Sequence, residues 1–135
     1  MNGLDEARRM LDLAATDLRA VELMVGEPGF DDAIVGFHAQ QAMEKSLKAW
    51  LAAVQGDYPF VHQIAILLEN LEACGESVDP FVVLARYSVY AVRSRYGDPP
   101  EAPQGAPLDR AQALTHARTL FDHVQRIIQE LNRKS

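Results

Sequence analysis

The 135-residue sequence holds a single cysteine, Cys74, so no internal disulfide can form. Cys74 sits late in an apolar run and reads as a small buried hydrophobe. No run of about 18 apolar residues occurs, which argues against a membrane-spanning helix. The opening residues, MNGLDEARRM, mix both charge signs and lack an apolar signal core, so a cytoplasmic protein is expected. Positive charge is scarce: 13 Lys and Arg against 19 Asp and Glu leave a net charge of −6. Such a chain is no generic nucleic-acid binder, and any binding of phosphate must come from a local patch. Also missing are an HExxH, a Cys/His cluster, a P-loop, a dinucleotide glycine motif and a nucleophile elbow. The expectation is therefore no metal and no cofactor.

What the sequence has in quantity is helical periodicity. Asp31 to Val54 reads as one helix of about six turns. Val35, Ala39, Ala42, Met43, Ser46, Leu47, Trp50 and Val54 recur at the three- and four-residue spacing of a buried stripe. Gln40, Gln41, Glu44, Lys45 and Lys48 fall on the opposite face, expected to meet solvent. Trp50 and Leu47 are expected to be buried. The whole chain divides into helices near 4–25, 31–55, 62–74, 80–96 and 109–132, with no credible strand. Gly26, Gly56, Gly75 and Gly97 supply stops, and only Gly36 lies within a helix. Asp31 or Asp32, Asp79 and Asp109 are candidate N-caps, with Pro80 at a first helical position and Gln112 completing a capping box. Residues 98–107, DPPEAPQGAP, hold four prolines in ten residues and cannot be helical. The expected fold is an all-α, up-and-down bundle of four to five helices in one domain, residues 1–135.

Chemistry concentrates between Ala85 and Asp98, ARYSVYAVRSRYGD. On an α-helix Arg86, Tyr90 and Arg93 share a face at i, i+4 and i+7, and Arg95 and Tyr96 follow. A basic, aromatic strip on an acidic body can hold phosphate through bidentate arginine and stacked tyrosine. The plainer alternative is arginines paired with surface acids and tyrosines packed with their hydroxyls at the rim. The four histidines offer less. His62 stands at a helix start and suits a turn or cap, His38 flanks the buried stripe as a hydrogen-bonded core-edge residue, and His116 and His123 lie seven apart on the last helix.

These stretches together resemble a family. Asp17-Leu18-Arg19-Ala20 in the first helix, then FHAQQAMEKSLKAWL, then His62, then Tyr90-x4-Arg95-Tyr96-Gly-Asp98 before a proline-rich loop are similar to the HEPN domain, the higher eukaryotes and prokaryotes nucleotide-binding domain. The likeness spans nearly the whole chain, and Ala39 to Lys48 is its most specific part. The resemblance implies a helical bundle that dimerises, and many small prokaryotic members pair with a minimal nucleotidyltransferase. Some members are toxins of toxin–antitoxin pairs that cut RNA with an Arg-x4–6-His motif. Here Arg86, Arg93 and Arg95 have no histidine four to six positions on. The formal match, Arg118 to His123, lies inside the last helix, with its ends about 140° apart on an ideal helix. The reading is thus a homodimeric module that binds a nucleotide, RNA or a partner protein without membrane or metal. Its ligand contacts are Arg86, Tyr90, Arg93, Arg95, Tyr96 and Asp98. Ribonuclease chemistry by Arg118 and His123 is the alternative.

Overall fold

The computed structural model describes residues 2–91 and 107–134. Four α-helices and one 3-10 helix make up the described chain: α1 (Gly3–Met24), α2 (Asp32–Gln55), α3 (Ile64–Ala73), the 3-10 helix (Asp79–Tyr90) and α4 (Arg110–Lys134). No strand occurs among the described residues. The all-α bundle expected from periodicity is the observed fold.

Helix α2 is the axis. It packs against all four other helices, most extensively against α1 and α4. Polar contacts set the directions. Arg118 of α4 meets Glu22 of α1, and Arg8 of α1 meets Asn132 of α4, so these two run antiparallel. Asp32 opens α2 beside Arg110, which opens α4, so that pair runs parallel. Trp50 is 1 % exposed and Leu47 is fully buried, as the stripe predicts. The indole stands edge-on to Phe81 of the 3-10 helix, at 5.9 Å between ring centroids, and to His123 of α4 at 5.0 Å. Its Nε1 donates to Glu76 at 2.8 Å, so the polar end of the buried ring is satisfied.

Several expectations are corrected. The periodicity predicts an α-helix over 80–96; the structure has a 3-10 helix, Asp79–Tyr90. The cause is an apolar spacing of three. Phe81, Leu84 and Tyr87 are its buried residues, and a helix of three residues per turn stacks i, i+3 and i+6 in one line. Asp79 does not cap it: Val78 is the N-cap, with no side-chain hydrogen bond, and Pro80 lies in the first turn. Gly26 is not left-handed, and the C-cap of α1, Val25, is right-handed. Gly56 (φ 93°) and Gly75 (φ 86°) do take the left-handed conformation. At Gly75 the Schellman pair forms, Glu76 N–H to Leu71 O at 3.0 Å and Gly75 N–H to Glu72 O at 2.9 Å. Cys74 is exposed, its thiol donating to Gln55 Oε1 at 2.9 Å. The stop at Gly97 and residues 98–106 of the proline-rich stretch lie outside the described residues.

The largest correction concerns α2. Gln40, Glu44 and Lys48, expected on a solvent face, are buried. With helices on several sides, α2 has little open face left, and its polar side chains are paired inside the bundle.

Candidate functional site

The start of α4 is tied to the start of α2. Asp32 accepts from the Leu108 backbone N–H at 2.9 Å and from Arg110 Nε at 2.8 Å. Arg110 also donates to the backbone carbonyls of Glu27 and Phe30. Asp109 then caps α4, its Oδ1 accepting from the Gln112 N–H at 2.9 Å, as its sequence position predicts. On the other side the 3-10 helix brings up Arg86, Tyr87 and Tyr90. Between them lies an open cleft of about 260 Å³, lined by Arg86, Tyr87, Val89, Tyr90, Pro107, Leu108, Asp109 and Gln112.

Arg86 is the cation of this cleft. Its Nη2 donates to Gln112 Oε1 at 2.7 Å and to the Tyr87 hydroxyl at 3.3 Å. The guanidinium also lies over the Tyr87 ring, 5.1 Å from its centroid. Among the described residues no acid forms an ion pair with it within 4.0 Å. Its hydrogen-bond partners among the described residues are neutral. The Tyr87 hydroxyl shares a 2.9 Å hydrogen bond with His116 Nδ1. Partial burial lowers the His116 pKa, the Arg86 charge lowers it further, and Asp109 opposes both. His116 is thus held neutral near pH 7.

Of the expected ligand contacts, Arg86 and Tyr90 line this one cleft. The face they were expected to share on an α-helix is not what unites them. At three residues per turn, i and i+4 diverge by about 120°. They line the same cleft, which is formed by the last residues of the 3-10 helix and the start of α4. Arg93, Arg95, Tyr96 and Asp98 lie outside the described residues. Tyr87, Asp109, Gln112 and His116 are additions. Tyr87 was legible in the three-residue spacing, whereas the meeting of Arg86 with Gln112 and of Tyr87 with His116 left no sequence signal.

Arg118 and His123 serve different faces of α4. Arg118 pairs with Glu22 at 2.9 Å on the α1 side. His123 packs its ring 5.0 Å from both Trp50 and Phe81. Burial lowers its pKa, the charge of Arg126 lowers it further, and Glu76 opposes both.

Two further polar clusters lie along α2. In one, Asp17 of α1 accepts from Lys45 Nζ at 2.6 Å and lies 2.9 Å from His38 Nδ1, so His38 is the hydrogen-bonded core-edge residue its position predicts. In the other, Glu44 accepts from Lys48 Nζ at 2.8 Å and from Gln40 Nε2 at 2.9 Å, and His62 Nδ1 stands 3.1 Å away. Burial works to raise the Glu44 pKa, but the bonds from Lys48 and Gln40, the Lys48 charge and His62 outweigh it and hold the carboxyl below its ordinary value. Both clusters satisfy their charges internally and join segments of the bundle. Among the described residues no group of three His, Cys, Asp or Glu side chains is placed to hold a metal ion. No described helix is long and apolar enough to cross a membrane.

Comparison with known proteins places this architecture. No curated protein matches the chain. A solved structure, TT1696 from Thermus thermophilus, is similar over 96 % of this chain and 98 % of its own, with 28 % sequence identity and a TM-score of 0.58. The family model for the HEPN domain matches residues 7–134, nearly the whole chain. This chain therefore belongs to the HEPN domain family.

Proposed function

We propose that this HEPN chain is a binding module that takes a phosphate-bearing ligand, a nucleotide or an RNA end, in the Arg86 cleft. It works as a homodimer beside a minimal nucleotidyltransferase, in the manner of a toxin–antitoxin pair. The observation that carries the ligand reading is the state of Arg86. Its guanidinium opens on the cleft, is held in orientation by Gln112 and Tyr87, and is neutralised by no acid among the described residues. These contacts occupy Nη2, so a phosphate would take the N–H groups of Nε and Nη1. Tyr90 offers an aromatic face for a base, and Asp109 and Gln112 offer polar edges. Arg93, Arg95, Tyr96 and Asp98, which follow Tyr90 in the sequence, complete the proposed contacts. No catalytic step is assigned, since Arg118 and His123 are turned to different partners.

Isothermal titration with an RNA tetranucleotide bearing a 5′-phosphate, and with the same RNA dephosphorylated, tests the ligand reading. The phosphorylated form should bind at least tenfold more tightly. Equal affinity would remove the phosphate from the account. Light scattering should give twice the chain mass, and a monomer at every concentration would overturn the homodimer.

A further inference from the structure

A second groove runs along another face of the 3-10 helix, between that helix and α3. It is lined by Ala65, Leu68, Glu69, Glu72, Val78, Val82 and Ala85, with a volume of about 220 Å³. Its depth has a simple origin. Ala65 on α3 and Ala85 on the 3-10 helix are small, so little fills the space above Leu68 and Val78, which are buried beneath. One wall is unusually apolar for a surface. Val82 is 56 % exposed, because the three-residue repeat turns Phe81 and Leu84 inward and leaves it outside.

The two charged residues that line the groove, Glu69 and Glu72, are both acidic. Residues 49–85 contain five acids, Asp57, Glu69, Glu72, Glu76 and Asp79, and no lysine or arginine. Glu69 and Glu72 are exposed on the groove wall, and no described cation lies within ion-pair distance of either. Exposed apolar surface rimmed by unpaired charge of one sign marks an interaction face.

We propose that this groove docks a cationic amphipathic helix of a partner protein. Apolar side chains at i, i+3 or i+4 and i+7 of that helix lie over Leu68, Val78 and Val82. Lysines or arginines flanking the apolar stripe pair with Glu69 and Glu72. A second copy of this chain fits poorly, since two copies meeting through this face would oppose acid to acid. The inference does not depend on the phosphate cleft, because none of the residues that line one lines the other.

The test uses the intact chain and a labelled 18-residue amphipathic peptide of leucine and lysine, read by fluorescence anisotropy at two salt concentrations. Saturable one-to-one binding is expected, weaker at the higher salt. The double substitution Glu69→Lys with Glu72→Lys should weaken it at least tenfold and confer binding of the matching leucine and glutamate peptide. Val82→Ser, at an exposed position, should weaken it as well while leaving the circular dichroism unchanged. Asp12→Lys with Glu130→Lys, at distant exposed acids, should change it less than twofold. Three results would overturn the proposal. One is the absence of saturable binding. Another is binding that the distant pair weakens as much as the groove pair does. The third is self-association of the wild-type chain that Val82→Ser abolishes.

Discussion

The ring of Tyr90 lies against the bare backbone of Gly36. A Cβ built on Gly36 would come 2.5 Å from Tyr90 Cδ1 and 2.6 Å from Cγ, closer than any real methyl can sit. The glycine inside α2 thus lets the end of the 3-10 helix, and with it one wall of the Arg86 cleft, seat on α2.

Gly36→Ala is expected to displace that ring. An alanine would favour the helix by up to about 1 kcal/mol. The overpacking it creates typically costs about 1–3 kcal/mol. The clash involves three atoms of a packed ring, so the cost should win. Urea unfolding should show a net loss of about 1 kcal/mol, with weaker ligand binding. A gain in stability with binding unchanged would mean that Tyr90 has another comfortable seat.

The Glu44–Lys48 pair should prove sensitive to the loss of one partner. Their side chains are 4 % and 8 % exposed. Lys48→Met leaves a buried carboxylate without its counter-charge, and such losses cost about 3–5 kcal/mol. Gln40 and His62 still touch Glu44, which places the expected value at the lower end. The double change Glu44→Leu with Lys48→Met should cost less than the single one. A neutral effect of Lys48→Met in thermal unfolding would show that the pair is open to water.

Acid should destabilise the fold before the shifted carboxylates of Glu6 and Glu44 titrate. His116 and His123 both have folded pKa values below the ordinary 6.5, chiefly through burial. In that case the unfolded chain binds more protons, so stability is fully present above about pH 6.5 and falls as pH drops toward the folded values. The shifted acids act elsewhere. Glu44 and Glu6 are held below 4.5, Glu6 at about 2 by Arg9 and Tyr58, so their contributions are lost only at lower pH. Urea midpoints between pH 7.5 and 5.5 should therefore decline. His123→Phe, which keeps an aromatic ring against Trp50 and Phe81, should flatten much of the decline. An unchanged slope in this variant would place the proton uptake elsewhere.

Much of the architecture could be read from local pattern. The stripe containing Leu47 and Trp50, the caps at Gly56 and Asp109 and the stops at Gly56 and Gly75 depend on neighbours within a turn or two. The polar side of α2 could not be read that way. Asp17 meets His38 and Lys45 from another helix, and His62 meets Glu44 from a distant connector. A clue was nonetheless present: Ala49, Leu51 and Ala52 extend apolar character around the helix, the mark of a helix enclosed on most sides. The 3-10 helix was equally within reach, since Phe81, Leu84, Tyr87 and Tyr90 keep strict spacing of three. For the cleft, Arg86 and Tyr90 stood out as a cation and an aromatic ring free of nearby acids. Gln112 and His116 entered only through the packing of α4.

The most direct measurement is the affinity of the phosphorylated RNA tetranucleotide for three proteins: the wild type, Arg86→Ala and Arg118→Ala. Both arginines are exposed, but Arg86 is held by neutral partners at the cleft, whereas Arg118 is already paired with Glu22. A desolvated charged hydrogen bond is worth about 1.5–3 kcal/mol, or roughly a tenfold to hundredfold change in Kd. The account predicts at least a tenfold loss for Arg86→Ala, an unchanged fold by circular dichroism, and less than a twofold change for Arg118→Ala. Equal affinities for Arg86→Ala and the wild type, or a larger loss for Arg118→Ala, would contradict it.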